Sequence, residues 1–113
     1  MRISIFSRAS TPDASTSRFR RAPHVLATPQ GDELVLFDTA RERYYTLNDV
    51  GARVWVLLAL PMAVAELAAV IRREYDVPRD SAPDPVSVDV ARLVRDLHGL
   101  GMVTVERIPG LRS

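Results

Sequence analysis

The sequence predicts an α+β domain of winged-helix-like arrangement, a three-stranded antiparallel sheet followed by three helices. Three observations carry this. β-forming runs with short, turn-rich connections fill residues 24–47. Apolar residues at helical spacing fill residues 49–100. Between them, across Arg43–Trp55, the apolar period changes from 2 to 3.6 with almost no loop, so a helix leaves directly from a strand.

The first strand is short, His24 to Thr28, and Pro29-Gln-Gly-Asp32 supplies turn chemistry after it. Glu33 to Asp38 is a second strand, apolar on both faces in its middle, which suits a central position. Thr39–Glu42 is the next turn, and Arg43 to Leu47 is the third strand, completing an antiparallel meander with this strand at an edge. Asn48 is a good N-cap, because its side-chain oxygen can accept from an orphan N–H of the next turn. Asp49 then places a negative charge in the first turn, where it suits the positive helix end. The first helix runs Asp49–Leu60 and ends at Pro61. Gly51 within it implies close approach of the helix backbone to the sheet, and Trp55 is expected in the core.

The second helix runs from Ala63 to Tyr75, with Val64, Leu67, Ala68, Ile71 and Tyr75 as its apolar stripe and no Ser, Thr or Asp to cap it. Val77–Pro83 reads as a loop. Asp84 followed by Pro85 is an N-cap with Pro at the first helical position, opening a third helix over Pro85–Leu100. Val86, Val90, Leu93, Val94, Leu97 and Leu100 form its stripe, and Gly99 and Gly101 supply the stop. Met102–Arg107 alternates and reads as a short closing strand.

One domain is expected in 113 residues, with residues 1–22 a disordered basic tail, 23–107 the folded part and 108–113 a C-terminal tail. Residues 1–22 carry five Arg and one Asp, net +4; the remainder carries ten Arg and thirteen acidic residues, net −3. Residues 1–22 should then be dispensable for folding, and a folded part of net −3 is a poor binder of polyanions. The chain has no Cys, which excludes disulfides, thiolate metal sites and thiol catalysis, and fits a cytoplasmic location. The longest apolar run, Val54–Leu60, is too short to cross a membrane.

His24 and His98 stand without a carboxylate or second His at ligand spacing, and no glycine-rich phosphate loop appears. The residues thus give no catalytic constellation, no metal site and no cofactor. Two other functions stay open. The second and third helices could mimic a helix-turn-helix, although Arg92 and Arg95 are offset by Asp89 and Asp96, so a DNA-binding regulator is one alternative. A structural subunit pairing through its edge strand is the other. In that edge strand Arg41, Glu42 and Arg43 discourage random pairing at one end, while Tyr44–Leu47 has no guard. With the third helix as the opposite wall, an extended peptide could add there as a fourth strand. Alternatively Tyr44 and Tyr45 simply complete the core.

The string Tyr45-x-Leu47-Asn48-x-x-Gly51-Ala52-x-x-Trp55 resembles the PqqD-like peptide chaperones, also called RiPP recognition elements. So do Glu66-Leu67, Tyr75-x-Val77, Asp89-Val90, Leu97 and Gly101-Met102-Val103; the likeness covers residues 24–105. It implies a winged-helix-like fold and a non-catalytic module that binds the leader of a ribosomally made precursor peptide and presents it to separate modifying enzymes. It places the leader between the third strand and the third helix, at Arg43, Tyr44, Tyr45, Thr46 and Leu47 and at Val90, Leu93, Val94 and Leu97. The Arg-Tyr-Tyr-x-Leu-Asn string looks most like the stand-alone leader-binding proteins of lasso-peptide pathways, which implies a leader peptidase and a cyclase as partners, no nucleic acid, no membrane, and a monomer or homodimer. The Arg-rich start and the Arg79–Pro85 stretch depart from the compact pattern.

Overall fold

The computed structural model describes residues 17–77 and 84–107. The elements in chain order are β1 (Ser17–Arg21), β2 (Val25–Gln30), β3 (Glu33–Asp38), β4 (Arg43–Leu47), α1 (Asp49–Leu57), α2 (Val64–Glu74), α3 (Pro85–Gly99) and β5 (Val103–Arg107). β2, β3 and β4 form an antiparallel sheet in that order, and β1 pairs antiparallel with β5 as a two-stranded ribbon. The meander, the central place of β3 and the closing strand agree with the sequence reading.

β1 corrects that reading. The basic tail was expected to reach residue 22, yet Ser17–Arg21 is a strand, in register from Ser17↔Arg107 to Arg21↔Val103. Residues 1–16 lie outside the described part. The chain from residue 17 is tied down on several sides. Phe19 exchanges backbone hydrogen bonds with Met62, at 2.8 and 3.0 Å. The Arg21 N–H donates to Leu58 O and that of Ala22 to Met102 O, at 3.0 and 2.9 Å. Ala22 is buried and Phe19 packs on the core. The three arginines of the strand keep their charges at the surface: Arg18 pairs with Glu66 at 2.7 Å, Arg20 with Glu106 at 3.4 Å, and the Arg21 guanidinium lies 5.8 Å from the centre of the Trp55 ring.

The first hairpin is tighter than expected. β2 extends through Pro29 and Gln30, so the turn is only Gly31-Asp32, with Gly31 at φ 64°. Pro29 is tolerated because β2 is an edge strand and needs no N–H at that position. The second turn carries a feature absent from the sequence reading. Asp38 is fully buried. Its Oδ1 accepts from the N–H groups of Ala40 and Arg41, at 2.9 and 3.1 Å, while Oδ2 meets Arg41 Nη1 and Oδ1 faces His24 Nε2, each at 3.4 Å. Burial pushes this carboxyl up, but the Arg41 and Ala40 N–H groups, the Arg41 side chain and the charge of His24 together hold it below its ordinary value.

The three helices follow in the expected order with trimmed ends. α1 stops at Leu57 rather than Leu60, and α2 spans Val64–Glu74. The uncapped start of α2 is served from inside: the Glu66 carboxylate accepts from the Ala63 N–H at 2.9 Å. Asp84 caps α3, accepting from the Val86 N–H at 3.2 Å, one position before Pro85. Beneath the sheet the core gathers Leu36, Trp55, Leu58, Leu67, Leu97 and Met102, all essentially without solvent contact. Trp55, 2% exposed, is core as expected. The 78–83 part of the expected loop and the 108–113 tail lie outside the described residues.

Candidate functional site

β4 is the edge of its sheet and pairs with β3 alone among the described residues. Its side chains alternate. Tyr45 and Leu47 face the helices, Tyr45 half-buried and Leu47 buried, whereas Tyr44 and Thr46 are exposed. Tyr44, 70% exposed, lies with its ring 4.8 Å from that of Phe37 on the outer face of the sheet, so it does not complete the core. One side of β4 thus offers main-chain N–H and C=O groups that the sheet leaves unpaired.

Local sequence fixes what lies below that edge. The Asn48 side chain accepts from the Gly51 N–H at 2.8 Å, which starts α1 one residue after the strand. Gly51 permits the sharp approach: a Cβ there would meet Leu47 side-chain carbons at 3.1 and 3.2 Å. α1 therefore lies close under the end of β4 and presents Val50, Gly51 and Val54 as a floor. α3 is the far wall. Its start is held to α2 by the Arg72–Asp84 ion pair, with the Ser87 hydroxyl donating to Asp84 at 3.0 Å. Its end is held to the start of β4, where Arg43 Nη2 donates to Leu100 O at 2.8 Å.

Between edge and wall lies a groove of about 610 Å³. β4 contributes Tyr45, Thr46 and Leu47; α3 contributes Asp89, Val90, Arg92, Leu93 and Asp96; Asn48 and Glu33 complete the rim. Of the residues expected to bind peptide, five line this groove: Tyr45, Thr46, Leu47, Val90 and Leu93. The other four do not. Arg43 clamps β4 to α3, Tyr44 faces the outer surface, and Val94 and Leu97 are buried in the core behind the wall.

The reading missed the charged part of the wall. Asp89, Arg92, Leu93 and Asp96 stand at i, i+3, i+4 and i+7, a stripe in its own right. It runs beside the core stripe Val90, Val94 and Leu97; the sequence reading assigned Leu93 to the peptide site and took Asp89 and Asp96 only as charges offsetting Arg92 and Arg95. Its spacing was the available signal. Arg92 and Asp89 approach to 3.5 Å along the helix.

This arrangement suits recognition: an open strand edge, an apolar floor and a charged rim. His24 is engaged with Asp38 and His98 lies edge-on to Phe19 with ring centres 6.1 Å apart, so neither faces the groove. Among the described residues no group of three or more His, Asp or Glu could hold a metal ion, and no helix is long and apolar enough to cross a membrane.

Residues 33–103, from the start of β3 to the start of β5, match the family model for coenzyme PQQ synthesis protein D (PqqD). The chain belongs to the PqqD family. The match contains the whole groove, from Glu33 through Asp96. Among solved structures the chain is similar to TbiB1 in complex with the TbiA(beta) leader peptide. Identity is 26%, the similarity covers 83% of this chain and 99% of that one, and the TM-score is 0.62. Among curated proteins nothing matches. The PqqD-family fold accounts for the sheet and three helices read from the sequence.

Proposed function

We propose that this chain is a non-catalytic recognition module that binds the leader region of a ribosomally made precursor peptide by strand addition at β4. The observation that carries this is the unpaired β4 edge set across a groove from α3, in a PqqD-family chain similar to a protein solved with a leader peptide. Main-chain hydrogen bonds to β4 would supply register, and alternate side chains entering the groove would supply selectivity. Tyr45, Thr46, Leu47, Val90 and Leu93 are the proposed contacts; Arg43 positions the strand, and Val94 and Leu97 hold the wall from behind.

The likeness to TbiB1 supports a lasso-peptide setting, in which a separate leader peptidase and cyclase act on the presented precursor in the cytoplasm. The folded unit proposed for this role is residues 17–107, with β1 included. No finding favours a DNA-binding regulator, and α3, the helix that would have to read a groove, has Asp89 and Asp96 flanking Arg92.

The test is titration with the leader peptide encoded beside this gene. Proline removes a backbone N–H, and neighbouring N–H groups on a strand point to opposite sides. One of Thr46→Pro and Tyr45→Pro therefore removes an outward donor, and that variant is expected to fold and lose leader binding. Wild-type affinity in both folded variants would show that the peptide sits elsewhere.

A further inference from the structure

We infer that the groove selects leader segments that are apolar on one side and carry a basic side chain, Lys or Arg, where they face α3. This rests on the strand-addition reading and specifies the peptide it takes. The floor and the lower wall, Val50, Val54, Val90 and Leu93, call for apolar side chains. Among the described residues the charge above them is unbalanced: Glu33, Asp89 and Asp96 oppose only Arg92, so three negatives and one positive give the lining −2.

Among the described residues that imbalance is not quenched. Arg92 is already drawn to Asp89, at 3.5 Å. Glu33 and Asp96 have no ion-pair partner among the described residues. The Arg92 and Asp89 side chains are 58% and 75% exposed, so in the empty groove water solvates the charged rim. A peptide laid along β4 displaces part of that water and brings its own charges against the carboxylates. A basic side chain then completes the rim, while an acidic one meets like charge at close range. Asp89 and Asp96 stand two helical turns apart, about 10 Å along the axis. That is about three residues of extended chain, so basic residues at more than one groove-facing position can be accommodated.

The experiment is selection of a random linear peptide library on the full-length protein at low salt, followed by titration of the winning sequences. Enrichment of Lys or Arg at groove-facing positions, between apolar residues, is the expected result. Replacing the selected Lys by Gln should weaken binding about fivefold, the scale of an exposed to partly covered ion pair. The combined variant Asp89→Asn, Asp96→Asn should weaken the Lys peptide by a similar factor and the Gln peptide by much less. Only the Lys peptide should lose affinity as salt is raised. Winning peptides that depend on β4, judged by loss of binding to the effective proline variant, but are neutral or acidic at these positions would overturn the charge rule alone. Winning peptides that bind both proline variants as well as wild type would overturn strand addition, and this rule with it.

Discussion

The sheet has two edges, β2 and β4, and they are built differently. β2 exposes five of its six residues and carries Pro29, which removes one N–H from the edge. Beside it the concave surface is lined by Arg20, Arg21 and the flank of Trp55, where the β1–β5 ribbon has been folded in. β4 has no proline, buries Leu47, half-buries Tyr45, and stands across an open groove from α3. An edge alone is therefore not a site. At β4 the unpaired backbone coincides with apolar depth and a second wall, and the short Asn48 junction and Gly51 create that depth.

The largest expected effect comes from removing what both edges share. Trp55 lies under the β2 side while its neighbour Val54 floors the β4 groove. Trp55→Ala should cost about 3–5 kcal/mol in denaturant unfolding, the usual range for truncating a buried aromatic. Normal stability together with lost peptide binding would instead make Trp55 part of the recognition surface.

Next in size is removal of β1. Deleting residues 1–21 uncovers β5 and strips Phe19 from the core. The expected loss is about 2 kcal/mol or more, the value of burying one large apolar side chain, read as a lower thermal midpoint. Deletion that leaves the midpoint unchanged would mean that the ribbon adds nothing to the fold.

Asp38 supplies a pH-dependent term beside β4. Its folded-state pKa is held below the ordinary 3.8, so its contribution is full above that value and is lost as pH falls through the folded pKa. Acid unfolding of wild type below about pH 4 should therefore be steeper than that of Asp38→Asn, which should be less stable at neutral pH and flatter in acid. Parallel acid curves for the two proteins would contradict this role.

The smallest effect is expected at Tyr44. With its side chain on the outer face, Tyr44→Ser should change stability by under about 1 kcal/mol and leave leader affinity unaltered. Leu93→Ala, in the wall, should weaken leader binding by about 2 kcal/mol, the scale of a buried anchor. The reverse ranking would move the site to the outer face.

Much of this geometry was legible because it is local. Asn48 and Asp84 are caps with nearby donors, and Gly31, Gly51 and Gly101 mark places where the backbone turns or approaches closely. What was hidden depends on distant parts of the chain. β1 reads as Ser-Arg-Phe-Arg-Arg, three charges around one aromatic, and it becomes a strand only because β5 lies antiparallel to it more than eighty residues later. Asp38 reads as the polar end of a strand, and only the folded turn and His24 make it a buried anion. On α3 one broad apolar face was visible, but its division into a groove stripe and a core stripe depends on where β4 and α1 stand. Val94 and Leu97 thus read as site residues and are buried in the core, while Asp89 and Asp96, read only as charges offsetting Arg92 and Arg95, are exposed and line the groove.

Backbone hydrogen exchange, residue by residue, with and without the bound leader peptide, tests the central claim most directly. Strand addition predicts that outward amides at alternate positions of Arg43–Leu47 gain at least about tenfold protection, because each becomes a ladder donor to the peptide. The amides of β2 should stay as they are in the free protein. Unchanged β4 amides in a saturated complex, with protection appearing along β2 instead, would contradict strand addition at β4.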